Sequence, residues 1–296
     1  MVRRRHPGLA AAAWLGAATV SLCMAVAGCQ AMTAHPDDRI APPIAACRAE
    51  DEVGAPNPNA PGGWNLVRSG SIDVLCLTGT LEAVRVADVA AALRRRPGSL
   101  AIVVRSTGGP VPVWLGLAEH LVGRVGLLVV DDACMSSCAN YMVPLADTVL
   151  ATPDSLVVWH GGPVGSVGAI ERQGIDDIGT IVAYDELARR TDALYGRLGL
   201  DTAILEVSAE PPEGGKLRRT IAALGRQHDA PRTVGGYAFA PARLARCFGF
   251  RNVERMWHAG DDVAVARLTG QRVPGLIILE SPGDRSAPAG GPRPTC

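Results

Sequence analysis

Between residues 72 and 253 the apolar positions change period repeatedly, and each change marks an element. Residues 72–77 read as a strand ending in Thr78-Gly79-Thr80. Residues 82–96 then place Val86, Val89, Ala90 and Leu93 at helical spacing before Pro97-Gly98 stops the pattern. Residues 100–104 are continuously apolar, as in a strand buried on both faces. After Ser106-Thr107-Gly108-Gly109 the pattern predicts a helix over 113–122, a second buried strand over 125–130 and a third helix opening near Ser136. Strand segments follow at 149–151 and 156–159, an amphipathic helix at 181–198, a helix near 217–227, an extended Tyr237-Ala238-Phe239, a helical turn and a last short strand at 250–253. Strands alternating with helices predict a parallel sheet, so the fold class is α/β.

The ends of the chain read differently. Arg3, Arg4 and Arg5 precede an uncharged run over residues 9–27 that closes in Val26-Ala27-Gly28-Cys29. This is the pattern of a secretory leader, and its end is similar to the lipobox of bacterial lipoproteins. An uncleaved membrane anchor is the alternative, but the small residues at the end of the run favour cleavage. The expectation is a signal peptide over 1–28, a lipidated Cys29, and an exported protein anchored by lipid to a bacterial membrane. Residues 29–66 carry His-Pro, Pro-Pro, Asn-Pro-Asn and Pro-Gly-Gly steps and read as a flexible tether. The folded domain is expected over 67–260, with 261–296 a C-terminal extension ending in a Pro- and Gly-rich tail.

Composition adds three constraints. Of 296 residues 48% are hydrophobic, enough for a substantial core, and 29 basic against 29 acidic residues give no electrostatic footprint for nucleic acid. Without the three leader arginines the balance is 26 basic to 29 acidic, mildly acidic. Beyond Cys23 and Cys29 six cysteines remain, Cys47, Cys76, Cys134, Cys138, Cys247 and Cys296, an even number that in an exported protein points to disulfides of undetermined connectivity. Cys134 and Cys138 are four residues apart, within bonding range on a helix. They form neither a redox Cys-x-x-Cys nor, without clustered histidines, a metal site. No metal and no cofactor is expected.

Three features carry the candidate chemistry. Gly108 and Gly109 follow a buried strand, where exposed backbone N–H groups can hold an oxyanion, although any strand-to-helix turn can need glycine. Ser136 and Ser137 open the helix after the next strand, where a serine also serves as a plain N-cap. His160 ends the apolar run Leu156-Val157-Val158-Trp159, 24 residues after Ser136. A lone histidine there is more often structural, but the three together supply oxyanion donors, nucleophile and base.

The stretches Leu77-Thr78-Gly79-Thr80, Ser106-Thr107-Gly108-Gly109, Cys134-Met135-Ser136-Ser137-Cys138-Ala139 and Val158-Trp159-His160 resemble the Clp protease proteolytic subunit within the Clp/crotonase superfamily. They are closer still to exported bacterial proteins of that superfamily with a Cys-x-Ser-x-Cys box. The resemblance covers residues 72–253, including Tyr237-Ala238-Phe239-Ala240 to Phe248-Gly249-Phe250. It implies a single-domain spiral of ββα units, Ser136 as nucleophile, His160 as general base, and an oxyanion hole from Gly108 or Gly109 with the N–H of Ser137. It implies an exported serine hydrolase acting on a peptide or protein; relatives assemble as rings or trimers, so a homo-oligomer is open to this chain, through faces that one sequence does not reveal.

The acidic third member has no clear match. Asp201, Glu206, Glu210, Glu213 and Asp229 lie in the right region, with Glu210 first and Glu206 second. Lys216 is the chain's single lysine and the sole candidate for the Ser-Lys dyad used by signal-peptide peptidases of the same superfamily, but its Gly-Gly-Lys-Leu-Arg-Arg context reads as exposed, which favours His160. Two rival functions remain. One is a non-catalytic binding lipoprotein of the same fold. The other is a thiol/disulfide protein using Cys134 and Cys138.

Overall fold

A computed structural model describes residues 36–50, 61–153, 155–159, 161–163, 177–207, 237–256 and 279–280. Its main unit is Ile40–Cys296. Strands β1 (Gly63–Ser69) and β2 (Ile72–Thr78) form an antiparallel hairpin with Ser69 opposite Ile72. The two-residue loop holds Gly70 at φ 59°, the left-handed conformation such turns require. Helix α1 (Pro36–Glu50) precedes the hairpin and α2 (Val86–Arg94) follows it. Then come β3 (Leu100–Ser106), α3 (Val111–Leu121), β4 (Val125–Met135) and α4 (Ser137–Met142). A short 3-10 turn leads to β5 (Ala146–Ala151) and β6 (Leu156–Val158); α5 (Ile178–Leu198), α6 (Ala203–Val207), β7 (Tyr237–Ala238), α7 (Pro241–Phe248), β8 (Val253–Arg255) and β9 (Leu279–Glu280) complete the described elements.

The main sheet runs β1-β2-β3-β4-β5-β8, with β6 beside the far end of β4, and every pairing after the hairpin is parallel. The protein is therefore an α/β domain with a mixed, mostly parallel sheet. From β2 to β5 the strand order advances one position at a time. Crossovers of one hand then put their helices on one face, and the packing agrees. Leu75, Leu77, Ile102, Val104, Leu128, Val130 and Val149 point into a core shared with Val89 and Leu93 of α2 and Trp114, Leu117 and Leu121 of α3. The alternate residues Val74, Cys76, Ala101, Val103, Val129 and Leu150 form a second core on the opposite face.

That second face is covered by α1, through Ile40, Ile44 and Cys47. The helix lies inside the segment whose composition reads as a flexible tether. Pro42 and Pro43 sit within it, and its overall amphipathicity is weak, which hides a helical face of four buried residues, Ile40, Pro43, Ile44 and Cys47. Cys47 is bonded to Cys76 of β2, and Arg48 reaches Asp131 of β4 at 3.1 Å. Cys134 and Cys138 form a second disulfide, and Cys247 is bonded to a partner outside the described residues. Disulfides of this kind fit an oxidising, extracytoplasmic setting. The leader and Cys29 lie outside the described residues, among which no helix is long and apolar enough to cross a membrane.

β4 extends past the predicted stop at residue 130 and changes partners on the way. It runs beside β5 as far as Val130, opposite Ala151, and beside β6 from Ala133, opposite Leu156. Asp131 and Asp132 make the change, Asp132 at φ 93°. Ser155 fills the gap: its hydroxyl accepts the Asp132 N–H at 2.9 Å and donates to the Val130 carbonyl at 3.1 Å. The buried Asp131 carboxylate is matched by Arg105 of β3 at 2.6 Å. Two aspartates ended the apolar run in the sequence, yet the ladder continues because each is given partners.

Candidate functional site

The changed course of β4 delivers Ser136 to a corner where three segments meet. Ser136 follows Met135, whose strand partner is Val158, and its N–H donates to the Val158 carbonyl at 2.9 Å. Its backbone lies at φ 57°, ψ −128°. Non-glycine residues rarely adopt this conformation; holding one there costs roughly 1–3 kcal/mol, and such strain concentrates at functional turns. The Cys134–Cys138 disulfide spans the turn, joining the end of β4 to the first turn of α4, with both cysteines fully buried.

Gly108 and Gly109 face this corner. A Cβ on Gly108 would stand 2.7 Å from the Ser136 Cβ and 3.2 Å from its Oγ, so only glycine allows the approach. A Cβ on Gly109 would fall 1.9 Å from the Thr80 carbonyl oxygen. The two glycines differ in what their amides do. The Gly108 N–H donates to the Ser106 hydroxyl at 2.9 Å, whereas that of Gly109 makes no hydrogen bond among the described residues. The Ser137 hydroxyl donates to the Gly109 carbonyl at 3.0 Å, and the Ser137 N–H, first in α4, is likewise without a partner among the described residues. Ser136 and Ser137 are thus distinct: the first has a half-buried side chain at the strained position, the second a buried side chain engaged with the glycine turn.

His160 lies outside the described residues, but its chain neighbours do not. Trp159 is fully buried and forms an antiparallel bridge with Tyr237, its N–H donating to the Tyr237 carbonyl at 3.0 Å. All three phenylalanines of the chain belong to the aromatic network around it: Phe239 and Phe250 meet Trp159 edge-on at 5.5 and 6.4 Å, and Phe248 packs on Phe239 at 5.4 Å. On the other side, the Gly161 carbonyl accepts from Asn140 Nδ2 at 2.7 Å. Asn140 lies one turn beyond Ser136 on α4, so one short helix carries the serine turn and the anchor of the residue after His160. The Asn140 Oδ1 is buried and unpaired among the described residues.

Helix α5 buttresses α4 through two phenols. Tyr195 donates to the Asn140 carbonyl at 2.8 Å, and Tyr141 and Thr191 share a hydroxyl hydrogen bond of 3.0 Å. Burial raises the pKa of both phenols; for Tyr141 the Thr191 bond opposes part of the rise, and for Tyr195 the neighbouring Tyr141 adds to it.

Among the expected acids, Glu206 is exposed on α6, whose neighbours Ile204 and Leu205 face inward. Asp201 is engaged in capping that helix, accepting the Ala203 N–H at 2.9 Å. Glu210, Glu213 and Asp229, and the alternative base Lys216, lie outside the described residues. No cluster of metal-ligating side chains occurs among the described residues. Sequence reasoning missed Ser106 and Asn140. The first stands two residues before Gly108 in a stretch read only for its glycines, and the second had no signal beyond a polar residue in an apolar helix.

No family model and no curated protein matches the chain. The site must be read from its own geometry.

Proposed function

We propose that the protein is a serine hydrolase of the Clp/crotonase-like superfamily, exported and lipid-anchored through Cys29, acting on peptide or protein acyl groups. One observation carries the reading: a half-buried serine in a strained turn, packed against a glycine that only a missing side chain permits, beside two backbone N–H groups unbonded among the described residues. Strain at one serine with open donors on either side is a poor way to build a structural N-cap and a good way to present a nucleophile. In this reading the Ser136 hydroxyl attacks the acyl carbonyl and His160 takes its proton. The N–H groups of Gly109 and Ser137 hold the oxygen as it gains charge, the leaving group departs with the proton from His160, and water completes the cycle.

Of the two glycines the sequence offered, Gly109 is the donor this reading selects, because the Gly108 amide already serves Ser106. The third member stays with Glu210, or with Glu206 should α6 shift, since Glu206 is exposed in the described conformation. The thiol reading is disfavoured because Cys134 and Cys138 are already joined and fully buried. The test is labelling by a fluorophosphonate. Wild type should be labelled and Ser136→Ala should not; equal labelling of the two, or labelling of neither, overturns the assignment.

A further inference from the structure

Two glycines in succession make a soft turn. Gly108 at φ 106° and Gly109 at φ 134° occupy regions that only glycine visits freely, and a residue that reaches them freely can also leave them. A rotation of the Gly108–Gly109 peptide would replace an N–H with a carbonyl oxygen and turn an oxyanion donor into a repulsive acceptor. Two serine hydroxyls oppose that rotation. Ser106, fully buried, accepts the Gly108 N–H at 2.9 Å and shares its hydroxyl proton between the Gly79 carbonyl at the end of the neighbouring strand and, at 3.2 Å, the Gly108 carbonyl of the rotating peptide itself. Ser137, also buried, donates to the Gly109 carbonyl at 3.0 Å. The turn is therefore tied at both ends, once to the sheet and once to the helix that follows the candidate nucleophile. The amide between the ties, that of Gly109, makes no hydrogen bond among the described residues.

We propose that Ser106 and Ser137 are positioning residues, whose hydroxyls lock the peptide planes on either side of Gly109 so that its N–H faces the reaction centre at Ser136. This rests on the reading of Ser136 as nucleophile. Neither hydroxyl touches substrate; each acts through the glycine backbone. Ser137 thereby has two roles, its N–H as a donor and its side chain as a lock.

The experiment follows inactivation by a fluorophosphonate, in which the Ser136 Oγ–P bond forms, the P–F bond breaks, fluoride leaves and the base takes the hydroxyl proton. The phosphoryl oxygen then occupies the place of the oxyanion. Inactivation is resolved into a saturation constant KI and a limiting rate kinact for wild type, Ser106→Ala, Ser137→Ala and Ser136→Ala, with thermal unfolding measured on each. Deleting an oxyanion donor outright costs about 100- to 1000-fold in rate, so loosening one should lower kinact roughly 10- to 50-fold while KI stays within about twofold. Ser137→Ala leaves the sheet and core untouched and remains informative should Ser106→Ala fold poorly. Wild-type kinact in Ser137→Ala, or a loss carried by KI or by the unfolded fraction, overturns the lock while leaving the nucleophile assignment standing. Failure of wild type to label, or labelling of Ser136→Ala, overturns both.

Discussion

The two disulfides whose partners are both described close loops of very different length, and that difference predicts different jobs. Cys47 and Cys76 are separated by 29 residues, Cys134 and Cys138 by 4. Loop-closure entropy gives about 3.6 kcal/mol for the longer loop and about 1.9 kcal/mol for the shorter. The short bond also holds Ser136 in a conformation that costs roughly 1–3 kcal/mol, so opening it returns part of what it contributes. All four cysteines are nearly or fully buried, so the lost packing of sulfur is similar in the two pairs and largely cancels in the comparison. The pair Cys47→Ala/Cys76→Ala should therefore lose about 3–4 kcal/mol in urea unfolding, and about 7–14 °C in Tm for a folded unit of this size. The pair Cys134→Ala/Cys138→Ala should lose no more than about 2 kcal/mol. Fluorophosphonate labelling should respond in the opposite order, surviving the first change and falling with the second. Equal stability losses, or a larger loss from the short loop, would refute the reasoning, as would unimpaired labelling once the short bond is gone.

Three further outcomes follow from particular contacts. Ser136→Gly should abolish labelling yet raise stability by roughly 1 kcal/mol, because glycine adopts the turn without strain; a loss of stability in urea unfolding would show that the turn is relaxed. Asp131→Ala should cost about 3–5 kcal/mol by removing the carboxylate that meets the buried Arg105 at 2.6 Å, and the double change Asp131→Leu/Arg105→Met should recover most of it, both read by chemical denaturation. The raised pKa values of Tyr141 and Tyr195 mean that the native state keeps protons the unfolded chain gives up above about pH 10. Their contribution is complete below that pH and declines as pH rises, by about 1.4 kcal/mol per unit for each phenol. In a phenolate absorbance titration these two should ionise only with alkaline unfolding, and their ionisation in the native state would contradict the burial.

The sequence carried the parts of the fold whose pattern is local. The buried strands β3 and β4 are continuous apolar runs, and helices α2, α3 and α5 keep a clear inward stripe, so a parallel α/β sheet was readable. Elements that depend on distant partners were not. β1 is a half-buried edge strand emerging from Pro-Gly-Gly, and α1 spreads its alanines and prolines around the helix and is buried only at Ile40, Pro43, Ile44 and Cys47. Asp131 and Asp132 look like a strand end until Arg105, Arg48 and Ser155 are placed around them. The same division holds at the candidate site. Gly108, Gly109, Ser136 and Ser137 stood out by residue type and position, and the structure brings them to one corner. The roles of Ser106 and Asn140 depend on where their side chains reach across the fold, which no spacing along the chain encodes.

Why so much is tied to one corner follows from the strain there. A serine held at positive φ relaxes unless its surroundings leave it no alternative. Here the strand before it is fixed by β6, its N–H by the Val158 carbonyl, the turn by the Cys134–Cys138 bond, and the helix after it by Tyr195 and Tyr141. Packing against Gly108 closes the remaining side. The strained position is thus over-determined by the disulfide and by contacts from β6, the glycine turn and α5, and each tie that is cut lets part of the strain relax. Loss of function should consequently precede loss of fold as ties are cut. A variant that loosens this corner should keep its cooperative unfolding transition while its reactivity toward the fluorophosphonate falls.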